Sequence, residues 1–183
     1  IINLTANVTD ETGLSFGQII VNDTGSVRIF NFSLSGTIAT FSQNITLTSA
    51  GIVNFTARVN DTSNNFVTND TIVTVLDTTL PTVNATFNRS IYGIRGFEVI
   101  NLTAGATDNT GLSFGQIIVN DTGSVRIFNF SLSGTTAEFS QNITITSTRG
   151  GVINFTARVN DTSNNFKTND TIVIVANTPP TGL

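Results

Sequence analysis

Apolar and polar residues alternate with a period of two along most of the chain, the signature of strands with one face buried and one wet. Ile2, Leu4, Ala6 and Val8 point one way, while Asn3, Thr5, Asn7 and Thr9 point the other. Residues 14–21 are apolar on both parities around Ile19, Ile20 and Val21, which predicts a central strand covered on both faces. Asn22-Asp23-Thr24-Gly25 reads as a turn. Residues 26–34 place Phe30, Phe32 and Leu34 on one face, and after Ser35-Gly36 the inward row continues through Phe41, Ile45 and Leu47. The segments 53–60 and 66–76 are joined by Asp61-Thr62-Ser63-Asn64-Asn65, where Asn64 and Asn65 suit a left-handed position. No helical period persists beyond two turns, so the pattern predicts an all-β chain.

These elements then come round again. Residues 12–37 return unchanged as 110–135, and 54–66 return as 154–166, offsets of 98 and 100 with two residues inserted around Arg149 and Gly150. A period of this length marks a duplication. Short strands between turns about eight to twelve residues apart predict a β-sandwich in each copy. The boundaries fall at 1–78 and 79–183, with a joint at 77–82 that Pro81 stiffens. Beyond the joint, residues 83–98 supply a first strand for the second copy. The first copy has no counterpart to it, because residue 1 already lies in what corresponds to the second strand. That strand is expected either upstream in a longer array or in trans, from a neighbouring subunit filling an open sheet edge.

Composition changes the picture in one respect. Apolar residues make up 39%, with 14 Phe and no Trp, while charged residues reach only 11% against roughly 25% in ordinary soluble domains. Something other than ionised side chains has to keep this surface wet. The net charge of −4 gives no basic footprint for nucleic acid and no polybasic segment for a lipid surface. No apolar run approaches a membrane span, so these residues are expected to make no membrane contact. Cys, His and Met are absent, which removes disulfides and thiol chemistry.

Three runs carry a resemblance: Ala106-Thr107-Asp108-Asn109-Thr110-Gly111-Leu112, the late Asp161-Thr162-Ser163-Asn164-Asn165, and the closing Asn177-Thr178-Pro179-Pro180-Thr181. Together they resemble the immunoglobulin-like repeats of prokaryotic, especially archaeal, cell-surface and filament proteins. The chain departs from that pattern at Leu80 and Asn177 in the joints and at Asn64 and Asn164 in the late loops. The resemblance implies two tandem immunoglobulin-like β-sandwich domains and is almost silent on activity.

The chemistry-bearing feature is Asn-x-Thr or Asn-x-Ser, the acceptor pattern of N-glycosylation. It occurs 17 times: at Asn3, Asn7, Asn22, Asn31, Asn44, Asn54, Asn60, Asn69, Asn84, Asn88, Asn101, Asn120, Asn129, Asn142, Asn154, Asn160 and Asn169. A shuffled chain with the same 23 Asn would carry about 6. Thr fills the third position in 14 of the 17. The plainer reading is that Asn-Phe-Thr or Asn-Ile-Thr is what any half-buried strand writes. Against it, Asn is depleted in strands, where Thr or Lys would cover an outer face better. Nine of these Asn share an outward strand parity, and the other eight fall in turns, strand ends or the connecting segment, so all are expected to be exposed. Attached glycans would supply the missing hydration and block edge-to-edge association.

Six of the nine Asp are the middle of Asn-Asp-Thr, which is turn chemistry. In the immunoglobulin-like arrangement that the resemblance implies, the loops carrying Asp108 and Asp161 would approach Asp77 of the joint, a candidate Ca²⁺ site set against the plainer reading of solvated turn residues. Glu11, Glu98 and Glu138 do not recur at equivalent positions, and without His, Cys or an activated Ser no acid-base pair or nucleophile stands out. We therefore expect no enzyme and no catalytic residue, and no cofactor beyond covalent glycans and that calcium. The rows at Phe30 and Phe32, and at Phe128 and Phe130, read as core rather than a sugar-stacking platform. An ice-binding Thr array is disfavoured because Asn interrupts the Thr spacing.

These readings lead to a structural subunit of a heavily N-glycosylated extracellular filament, pilus-like fibre or surface-layer stalk. Its partners would be other copies of itself, head to tail, linked by strand exchange. An adhesin module, or a non-catalytic spacer of a secreted protein, is the alternative; identical turns at 22–25 and 120–123 favour a repeated tile over variable binding loops.

Overall fold

A computed structural model describes residues 1–88, 94 and 96–176 of the chain. The closing run 177–181 lies outside these residues. Every regular element among the described residues is a strand, and the chain divides into two compact units, Ile1–Asp77 and Thr78–Leu183.

The first unit contains β1 (Ile2–Thr9), β2 (Leu14–Asp23), β3 (Ser26–Ser33), β4 (Ile38–Ile45), β5 (Gly51–Asp61) and β6 (Phe66–Val75). One sheet runs β3-β2-β5-β6, and β1 pairs with β4 in another. The second unit contains β7 (Thr82–Phe87), β8 (Val99–Thr107), β9 (Leu112–Asp121), β10 (Ser124–Ser131), β11 (Thr136–Thr144), β12 (Val152–Asp161) and β13 (Phe166–Ile174). Its sheets run β10-β9-β12-β13 and β11-β8-β7. Strand by strand, β8 to β13 repeat β1 to β6 with the same antiparallel pairings. The opening strand of the second copy is shorter than the expected 83–98 and ends at Phe87.

The turns are short. Thr24 and Gly25 form a two-residue hairpin loop with φ 47° and 91°, the signature of a type I′ turn, whose twist matches that of the flanking strands. Asn64 and Asn164 take the left-handed positions of the late loops at φ 66° and 67°, where an Asn side chain is tolerated. Asn22 and Asn120 cap their hairpins by accepting from the amides of Gly25 and Gly123 at 3.2 and 3.0 Å.

Each core lies between the sheets of its own unit. In the second, Leu102, Ala104 and Ala106 of β8 meet Ile117 and Val119 of β9 and Phe155, Ala157 and Val159 of β12, all buried. In the first, Ile19, Val21, Val53, Phe55 and Val59 are buried, but the row Ile2, Leu4, Ala6 and Val8 of β1 is only partly covered. Gly17 and Gly115 sit against the rings of Phe41 and Phe139, which leave little room for a side chain. Arg58 and Arg158 lie over the exposed rings of Phe66 and Phe166 at 4.6 and 4.5 Å, shielding them with a cation–π contact.

Candidate glycan-bearing surface and carboxylate loops

The acceptor asparagines of the four-stranded sheets are assembled into rows. In the first unit the register sets Val27, Asn22, Asn54 and Ile72 side by side across β3, β2, β5 and β6. In the second, Val125, Asn120, Asn154 and Ile172 form the same row. Two acceptor amides therefore stand between exposed branched apolar residues on one outer face, and Ile72 and Ile172 are 67% and 66% exposed.

On the smaller sheets the asparagines pair across strands. Asn3 donates from Nδ2 to Oδ1 of Asn44 at 2.8 Å, and Asn101 donates to Asn142 at 2.9 Å. The Thr two residues on, Thr5 and Thr103, donates its hydroxyl back to the same asparagine at 2.8 and 2.9 Å. An N-linked amide keeps one N–H, so these bridges are chemically compatible with a glycan on either donor.

Exposure was expected at all seventeen positions. It is found at Asn3, Asn7, Asn22, Asn31, Asn44, Asn69, Asn84, Asn88, Asn120, Asn129 and Asn142, while Asn54, Asn60, Asn101, Asn154 and Asn169 are half-buried. Asn160 differs. It is 9% exposed, and its Nδ2 is turned onto Oδ1 of Asn164 at 3.1 Å. It sits at the end of β12, where the chain bulges against β9; Asn60, at the same bulge in the first unit and bonded likewise to Asn64, stays half-buried.

The carboxylates organise loops. Oδ1 of Asp108 accepts from the backbone amides of Thr110 and Gly111 and from the Thr110 hydroxyl, each at 2.9 Å. Oδ1 of Asp161 accepts from the amides of Ser163 and Asn165 at 2.9 and 2.7 Å, and its Oδ2 accepts from Nδ2 of Asn165 at 2.7 Å. Within the second unit these two carboxylates come within 4.8 Å of one another. Asp77, the third residue of the calcium expectation, ends the first unit. The first unit repeats the loop chemistry with Asp10 and Asp61. Hydrogen bonds from the Gly13 amide and from Thr12 hold the Asp10 carboxyl below the usual carboxylate range. Asx-type turns thus engage Oδ1 of all four loop carboxylates.

Two equivalent buried carboxylates, Asp23 and Asp121, were missed in the sequence. Asp121, at the end of β9, is 1% exposed and accepts from the amide and hydroxyl of Thr146, both at 2.6 Å, and from Ser147. Arg126 stands 3.5 Å away. The Asn-Asp-Thr setting of Asp121 reads as an exposed turn, yet it is buried, as is its counterpart Asp23 at 6% exposure beside Arg28.

No family model matches the chain, and no curated protein matches it. Among solved structures, red sea bream transglutaminase aligns over 97% of this chain and 29% of its own, at 9% identity and a TM-score of 0.38. A structure bearing on host cell surface retention of a 1.5-MDa bacterial ice-binding adhesin aligns over 95% of this chain and 57% of its own, at 13% identity and a TM-score of 0.40. The chain therefore spans less than two thirds of either protein.

Proposed function

We propose that this chain is a structural segment of an extracellular array, two tandem immunoglobulin-like β-sandwiches whose outer faces carry N-linked glycans, serving in a filament, pilus-like fibre or surface-layer stalk. The observation that carries this reading is the residue at the tip of the first hairpin in each unit. A type I′ loop calls for Asn, Asp or Gly at its first position. Thr24 and Thr122 stand there instead, at φ 47° and 51°, a left-handed conformation that is costly for a β-branched side chain. Strand amphipathicity does not explain this choice, since the position belongs to no strand. The acceptor pattern does, because Thr24 and Thr122 are the third residues of the sequences starting at Asn22 and Asn120.

The surface supports the same reading. Charged residues are 11% of the chain, and Val27, Ile29 and Ile72 lie open around Asn22 and Asn54. Sugars on those amides would cover the apolar ground that ionised side chains leave bare. The test is intact-mass and glycopeptide mass spectrometry on material from the native source. We expect modification at the exposed sites, Asn22, Asn31, Asn120 and Asn129 among them, and a bare Asn160. A mass close to that of the polypeptide overturns the reading.

A further inference from the structure

The two units differ by one strand, and the difference leaves a mark on the molecule. In the second unit β7 pairs antiparallel with β8, from Thr82 opposite Thr107 to Phe87 opposite Leu102. Its inward residues Val83, Ala85 and Phe87 pack on the core, and the Phe87 ring stands edge-on to Phe155 with centroids 5.1 Å apart. Beneath it Leu102, Ala104 and Ala157 are fully buried.

The first unit presents the same surface uncovered. Its counterparts of Leu102, Ala104 and Ala106 are Leu4, Ala6 and Val8, all partly exposed, and β1 has a pairing partner on one side alone, β4. A cleft of about 400 Å³ opens beside them, lined by Leu4, Ala6, Val8, Phe55, Ala57 and Val67. Its walls come from β1, β5 and β6, the counterparts of the strands β8, β12 and β13 on which β7 packs. An unpaired strand edge next to an apolar slot is a template for strand addition.

We propose that this cleft is the docking site for one added β-strand, the linking strand of a neighbouring repeat of the same kind. It would pair antiparallel with residues 4–9 in the register β7 keeps against β8. The side chains it turns inward would be small or branched apolar ones followed by an aromatic ring over Phe55. Val8 stands where the second unit has Ala106, so the residue opposite it is no larger than the Val83 of β7. Among the described residues the strand of this type is β7, which is already seated. Lending it to a second copy would open one slot for each it closes, and the donor assigned here is therefore the same strand of a further repeat.

The inference deepens the array reading and rests on it for the donor's origin, though not for the slot itself. The experiment adds a synthetic peptide of residues 80–88 to the full chain and follows amide hydrogen exchange. At a peptide concentration about 100 times its Kd, exchange through opening of the first unit slows about 100-fold, with protection on residues 4–9 and none gained in the second unit. A peptide carrying Asp in place of Val83 and Ala85 gives no protection. In a second arm the same segment is joined ahead of Ile1 by a flexible linker, which raises its effective concentration to roughly millimolar. Protection of residues 4–9 in that arm alone still supports the slot. Protection in neither arm, or peptide displacing β7 from the second unit, overturns the proposal. Glycan mapping is untouched by either result, so the two readings fail separately.

Discussion

The ring of Phe87 meets Phe155 edge-on, with the planes at 74°, so the six-residue strand β7 is held to the second unit by side-chain packing as well as by its ladder to β8. Because Phe87 is half-buried, Phe87→Ala should cost the second unit about 2 kcal/mol, below the full range for a core Phe. Urea denaturation resolved by unit, through hydrogen exchange, checks this. The first unit should be unmoved, and an equal loss in both would contradict the assignment.

Gly17 and Gly115 are small because aromatic rings occupy the space above them. A Cβ at Gly115 would lie 2.9 Å from Phe139 and 3.1 Å from Leu132, and one at Gly17 would lie 3.0 Å from Phe41. Overpacking of this kind costs about 1–3 kcal/mol, so Gly115→Ala should lower stability within that range. Gly17→Ala should cost less, since the more open core of the first unit lets Phe41 retreat. Equilibrium unfolding of the two variants decides it.

Burial pushes the Asp121 carboxyl up, but the hydrogen bonds from Ser147 and Thr146, hydroxyls and amides together, outweigh it and hold the group below its ordinary value. A carboxylate lowered in the folded state contributes stability that is present above its unfolded pKa of about 4 and is lost as pH falls through the folded value. The second unit should therefore weaken below about pH 4. Asp121→Asn should cost about 2 kcal/mol at neutral pH and flatten that acid limb. Denaturation midpoints at pH 7 and pH 3, wild type against variant, provide the check.

Replacing Thr24 or Thr122 with Asp, which creates no new acceptor beside Gly25-Ser26 or Gly123-Ser124, suits the left-handed position and should stabilise the unglycosylated chain by about 0.5–1 kcal/mol. The same change deletes the acceptor at Asn22 or Asn120, so native glycopeptides lose that site. A thermal melt that moves downward would show that the turn itself wants Thr.

Both oxygens of Asp161 are engaged by its own loop, so chelator should leave the melting temperature unchanged. Asp161→Ala should destabilise the second unit by about 2 kcal/mol with or without added calcium. A melt that rises with calcium and falls with chelator would support the metal reading of Asp77, Asp108 and Asp161.

Much of the fold was legible in the sequence because its causes are local. Alternation of Ile2, Leu4, Ala6 and Val8 with Asn3, Thr5 and Asn7 writes a strand whatever lies beside it, and Asn64 suits a left-handed turn by the nature of its side chain. Repetition of 26 letters makes one copy a guide to the other. What the chain alone could not disclose depends on neighbours. Asn160 obeys the acceptor pattern as fully as Asn142 does, yet it is buried at the end of β12. The row of Val27, Asn22, Asn54 and Ile72 exists because four strands fall into one register, and buried Asp121 is satisfied by a loop 25 residues further on. By itself the sequence determined most of the strands and turns, the end of β7 at Phe87 aside, since backbone sterics and hydrophobic periodicity act within a few residues. Only the tertiary structure decided which of those faces is covered, because cover is supplied by a strand from elsewhere in the chain, as β7 covers Phe155 and no strand within residues 1–88 covers Leu4 and Ala6.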